Sequence, residues 1–210
     1  ASFGATTTVK DINLTGKIVI TSTGTQNVCM GTGNADAGEN NISIGVDAGK
    51  VLTTNGDENI LIGTSAGLSL QEASENIAIG FEALKAYRGD SGVGRVIALG
   101  YRAGLLCVDS IQSIFIGALA GQNSSAGNSN VIIGYNAADT LETGMWNTVI
   151  GDVSDVSATN SRNQTVLGYG TDGVINNSVT LGNQNVTRVY ASEDTGATFY
   201  GAGQSWSDKR

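Results

Sequence analysis

The 210-residue sequence contains no histidine and no proline. Without histidine no Ser/His/Asp or Cys/His catalytic group can form, and no metal can take an imidazole ligand. Without proline the turns fall to Gly, Asn, Ser and Thr, and Gly alone numbers 30. Charge is scarce as well, at 14% of residues where a soluble domain carries about 25%. Lys and Arg total 11 against 19 acids, a net charge of -8, and no basic cluster occurs. No nucleic-acid or anionic-membrane surface is expected on such a chain. Aromatic residues are 6% of the chain. A run of about 18 apolar residues is missing too, so no transmembrane helix is expected within these residues; Ala1 is expected to be an internal cut of something longer.

What the sequence does contain is one phrase written ten times: Asn, apolar, any residue, apolar, Gly. In order it reads NVCMG, NISIG, NILIG, NIAIG, VIALG, SIFIG, NVIIG, NTVIG, QTVLG and SVTLG. The closing glycines, Gly31, Gly45, Gly63, Gly80, Gly100, Gly117, Gly134, Gly151, Gly168 and Gly182, are 14 to 20 residues apart, most often 17. Three residues past the Gly stands a small residue, as at Ala48, Ala66, Ala83, Ala103, Ala120 and Ala137, then Ser154 and Thr171. Each unit reads as a short β-branched strand, a corner at Gly, a second short segment and a variable loop. One such unit cannot bury its own apolar face, so the units must stack.

The expected fold is therefore all-β, a parallel β-solenoid of about ten coils over residues 27–185. Residues 1–26, with Ile12, Leu14, Ile18 and Ile20, read as a β connector from an upstream shaft, and residues 186–210 as a C-terminal tip. Alternation along each strand separates two faces. The flanking residues, such as Ile42 and Ile44 or Ile60 and Ile62, are expected to line the inside of the coil. The residue between them, Cys29, Leu61, Phe115, Ile132, Val149 or Val166, is then expected to face outward. Both sets are apolar, so the outward set needs a partner, and for a rod of coils the simplest partner is a copy of the same chain about an axis parallel to the stack. A homotrimer is expected, with those six residues at its interface. Recurrent Asn27, Asn41, Asn59, Asn76, Asn130 and Asn147 are expected to stack as an amide ladder along one edge. Four rungs of about 4.8 Å would hold Cys29 and Cys107 about 19 Å apart, beyond the reach of a disulfide.

The phrase N-[IV]-x-[IL]-G-x-x-A resembles the head repeats of trimeric autotransporter adhesins, and equally the repeats of bacteriophage tail fibres. The final segment, VTLGNQNVTRVYASEDTGATFYGAGQSWSDKR, is similar to the junction of phage tail fibres and tailspikes where a Ser-Asp-x-Arg motif, here Ser207, Asp208, Lys209 and Arg210, opens a self-cleaving intramolecular chaperone. The second resemblance implies a transient C-terminal chaperone that templates trimer assembly and is cut away at or beside Ser207. It further implies a virion tail fibre that attaches as a trimer to a bacterial surface receptor, a saccharide or an outer-membrane protein. The alternatives are a bacterial cell-surface adhesin head and a polysaccharide-cleaving tailspike.

Candidate recognition residues fall in two groups. Phe81, Tyr101, Tyr135 and Tyr169 follow the repeat Gly directly, and in register they would form a row of rings, a platform for sugars. Loops supply Tyr87, Arg88 and Asp90 in the 20-residue interval, and Trp146 in another. Acid pairs such as Asp139 with Glu142 or Asp152 with Asp155 have glycosidase-like composition, but nothing in the sequence sets them in a cleft. Calcium-binding nonapeptides and an ice-binding Thr register are both missing. No catalytic residue, metal or cofactor is expected, apart from the junction at Ser207 and Asp208.

Overall fold

A computed structural model describes residues 27–33, 37–89 and 94–189. The expected connector at 1–26, most of the expected tip, Asp90 and the Ser207–Asp208 junction lie outside the described residues.

Ten strands occur among the described residues: β1 (Val28–Met30), β2 (Ile42–Ile44), β3 (Ile60–Ile62), β4 (Ile77–Ile79), β5 (Ile97–Leu99), β6 (Ile114–Ile116), β7 (Val131–Ile133), β8 (Thr148–Ile150), β9 (Gln164–Leu167) and β10 (Ser178–Leu181). They form one sheet in sequence order, and every neighbouring pair is parallel. Register carries each repeat onto the next, Ile42 opposite Ile60 and Ile60 opposite Ile77. The chain is thus an all-β parallel β-solenoid, one coil per repeat, built on the period of about 17 residues read in the sequence.

The repeat Gly is required by how closely the coils approach. From Gly31 to Gly168 these glycines have φ between 126 and 147°, a region that L side chains rarely adopt. A methyl placed on Gly45 would lie 2.7 Å from the Gly63 carbonyl, so the backbones of successive corners meet with nothing between them.

The two faces of the strands are the reverse of the sequence expectation. Leu61, Phe115, Ile132, Val149 and Val166, expected at an outer interface, are wholly buried inside the coil of a single chain. Their neighbours on the same strands, Ile60 and Ile62 or Ile114 and Ile116, are the half-buried ones that point outward. Cys29, on the first described strand, is exposed. The physical reason lies in the asparagines. Asn41, Asn59, Asn76, Asn130 and Asn147 precede their strands by one residue and so share the parity of the middle residue. An amide can satisfy all its hydrogen-bonding groups inside the stack, where the next coil repeats it, and the Asn side chains are buried there. The amide ladder exists, but within the coil. Asn130 Oδ1 accepts the Asn147 main-chain N–H at 2.9 Å and its side-chain amide at 3.1 Å, while Asn130 Nδ2 donates to the Gly144 carbonyl at 2.9 Å. Asn41, Asn59, Asn130 and Asn147 each donate in this way to the returning loop of their own coil, at Gly56, Ala73, Gly144 and Ser161.

Opposite the sheet the core is completed by the small residues Ala48 to Ala137 and by a second inward column, Leu52, Leu70, Tyr87, Cys107, Ser124 and Leu141, seven residues after each Gly. No helix among the described residues is long and apolar enough to cross a membrane.

Candidate receptor-binding face

The corner at each Gly turns the following side chain to solvent. Phe81, Tyr101, Tyr135 and Tyr169 are all exposed there, Tyr169 most of all at 72%. The next residue has a left-handed backbone, as at Asp47, Ser65, Glu82 and Arg102, and the one after that turns inward as the buried Ala. The ring row expected from sequence thus stands along one margin of the sheet, interrupted by Ala118 and Asp152.

The loop residues are distributed differently. Tyr87 is not on the surface: its ring is fully buried and its hydroxyl donates to the Ser110 carbonyl at 2.9 Å. Its place seven residues after Gly80 puts it in the inward column, with Gly89 against its ring and Gly94 against the phenol oxygen. Burial raises the hydroxyl above the usual tyrosine range, and Cys107 and Asp109 push it the same way. Arg88 is exposed beyond it on the loop side of the coil. Trp146 is exposed too, but at the opposite margin of the sheet from the ring row. It enters strand β8 where Asp152 leaves it, six residues or about 20 Å away in extended backbone. Trp146 also has a φ of 62°, unfavourable for a bulky side chain, in a column that elsewhere holds Glu75, Arg95, Gln112 and Asn163.

Two further groups belong to the ring-bearing margin and were missed from sequence. Glu82 Oε1 accepts from Lys85 Nζ at 2.6 Å and Glu82 Oε2 from Arg102 Nε at 2.7 Å. The Lys85 ammonium does most to hold the Glu82 carboxyl below its ordinary range; burial opposes it, and Arg102 adds a smaller effect in the same direction as Lys85. The signal available was register: Glu82 and Arg102 each stand two residues past a repeat Gly, on adjacent coils. Phe81 and Tyr101 stack with ring centres 5.6 Å apart and planes inclined by 10°. The Arg102 guanidinium carbon lies 5.0 Å from the Tyr101 ring centre and 5.9 Å from that of Phe81. Ser69, Lys85, Leu105 and Leu106 line a cleft of about 370 Å³ beside them.

Of the acids noted in the sequence, Asp139 accepts from the side-chain amides of Gln122 and Asn123, while Asp152 and Asp155 are engaged by backbone. Asp152 Oδ1 accepts the Tyr135 N–H at 3.0 Å, and Asp155 accepts the Thr140 N–H through both oxygens. Burial raises Asp155 above the ordinary carboxylate range, the hydrogen bonds opposing it. Among the described residues no group of three or more His, Cys, Asp or Glu could hold a metal ion.

No family model matches the chain, and a search of curated proteins finds no match.

Proposed function

We propose that the chain is a structural and host-receptor-binding section of a phage tail fibre, assembled as a homotrimer and attaching to a bacterial surface. The observation that carries this reading is the outward sheet face. Ile42, Ile60, Ile77, Ile97, Ile114 and Val131 run along it with Ile44, Ile62, Ile79, Leu99, Ile116 and Ile133 beside them, all partly exposed on a single chain. The strip continues through Ile150, Leu167 and Leu181 to the last described strand, about 43 Å at about 4.8 Å per rung and about 10 Å wide, the scale at which an exposed apolar patch often marks an interaction site. It is straight, continuous and identical on every chain, which suits copies of the chain arranged around one axis parallel to the stack. In this reading the isoleucines, not Leu61 or Phe115, would meet at the axis.

The exposed rings at the margin of that face, with Arg88 and Trp146 elsewhere on the surface, supply contacts for a saccharide or protein receptor, and three copies on one axis raise avidity through effective concentration. The resemblance of the final segment to a chaperone junction favours phage over an adhesin head, whose repeats are equally alike. The test is adsorption. The purified chain should sediment as three copies and compete with virions for host cells. A chain that stays monomeric at micromolar concentration, or that fails to compete, would overturn the proposal.

A further inference from the structure

The Phe81–Tyr101 shelf differs from the rest of the ring row in the charge set against it. Glu82 carries two cations, and its side chain is only 12% exposed whereas those of Lys85 and Arg102 are each 38% exposed. The acid is covered while the cations reach solvent, so this patch has a surplus of one positive charge on a chain whose net charge is -8. The next acid in the Glu82 column toward the first coil, Asp47, is two rungs away and is paired with Lys50 at 3.3 Å.

Hydrogen-bonding capacity narrows the ligand further. The exposed charged groups, an ammonium and a guanidinium, can only donate, and the local acceptor is already occupied by both of them. A neutral sugar, whose hydroxyls both donate and accept, would find no free charged acceptor here. A ligand carrying a carboxylate would find donors alone. The apolar component of such a ligand has a place as well: Ala118 follows Tyr101 in the row, so the next ring, Tyr135, is two rungs or about 9.6 Å further on. Space for one sugar ring is left along the row.

We propose that Phe81, Tyr101, Lys85 and Arg102 form a subsite for an acidic saccharide, a uronate-type ring resting on the aromatic shelf with its carboxylate on the two cations. This rests on the reading of the ring-bearing margin as a recognition face. The probe is trigalacturonate, with maltotriose as the neutral counterpart, titrated into the intact chain by calorimetry. Trigalacturonate should bind saturably and weaken as salt is raised, because the pair is exposed to screening. Maltotriose should bind at least tenfold more weakly. Arg102→Gln and Lys85→Gln should each weaken trigalacturonate at least tenfold, and Tyr101→Ala more so, while Tyr101→Phe retains binding and circular dichroism stays unchanged in all four. Equal binding of the two sugars, no binding of trigalacturonate at millimolar concentration, or full binding by Arg102→Gln would overturn the subsite. Host-cell adsorption separates this from the broader reading. Adsorption lost on Tyr135→Ala and Tyr169→Ala but kept by Arg102→Gln sinks the subsite alone, whereas adsorption kept by every ring, Arg88 and Trp146 variant sinks the recognition face itself.

Discussion

Asn41 Oδ1 accepts two hydrogen bonds from Asn59, one from its main-chain N–H at 2.9 Å and one from its side-chain amide at 3.1 Å. Asn59 repeats the arrangement toward Asn76, and its own amide also donates to the Ala73 carbonyl at 3.0 Å. Asn59→Ala therefore strands donors and an acceptor on both sides of one rung, in a place that water does not reach. A loss of about 2–4 kcal/mol is expected, to be read from the denaturant midpoint. Loss of less than half a kcal/mol would mean that the ladder contributes alignment but little stability.

Val149 and Ile150 are adjacent on strand β8 and face opposite ways, the first buried and the second 39% exposed. Val149→Asp places an unpaired charge inside the coil and should cost several kcal/mol, abolishing the cooperative melt followed by circular dichroism. Ile150→Asp leaves the coil interior intact. It should keep the melt within about 1 kcal/mol for a single chain while sedimentation shifts from trimer to monomer.

The coil spacing, strand positions and parallel stacking were legible because the Gly corner recurs wherever two backbones meet without a side chain between them. The inside of the coil was not legible from hydropathy, since Ile60, Leu61 and Ile62 are alike in it. Only Asn59, two residues before Leu61, carries the parity, because a buried amide is tolerable where an identical one stacks on it. The exposed Tyr101, Tyr135 and Tyr169 followed from position in the repeat, and Trp146 from its place in a loop. Tyr87 did not: it stands at the start of a long loop, yet it shares the register of Leu70 and Cys107. The Glu82–Arg102 pair becomes visible only when two repeats are laid side by side.

Gly121 and Ala138 hold equivalent places four residues past the repeat Gly, with φ of 55 and 52°. The backbone there already accepts a side chain in two coils, at Ala138 and at Leu84 with φ of 49°. At Gly121, however, an added methyl would overlap the Phe115 ring. Gly121→Ala is expected to destabilise by about 1–3 kcal/mol through overpacking, and Phe115→Leu should recover part of that loss in a double-mutant cycle. Strict additivity of the two changes would place the cost in the backbone.

Burial raises the Cys107 thiol to about 11, with Ser110 opposing and Asp109 reinforcing the shift, and Tyr87 is raised beside it. Both groups prefer the protonated form more strongly in the folded chain than in the unfolded one. Their contribution is complete below the unfolded-state values, near 9 for the thiol and 10 for the phenol, and declines as pH rises through the folded-state values. Stability should therefore fall from about pH 9 upward, and Cys107→Ala should shallow the first part of that decline in denaturation series between pH 7 and pH 11. At pH 8 a thiol reagent should modify the exposed Cys29 rapidly and the buried Cys107 slowly.

Because the strands pair in chain order, β1 to β10, the bonds that join the coils point along the stack. Tension applied between the two ends of one chain would load them head-on, peeling one rung at a time from an open end. A released coil of 17 residues would yield about 50 Å of slack beyond the height it occupied. A single chain is thus a stepwise extensible tether, yielding at a force set by one rung. Bound along its isoleucine face to two others, it would have to slide past them over its whole length before the first rung could leave, which converts a compliant strap into a stiff strut.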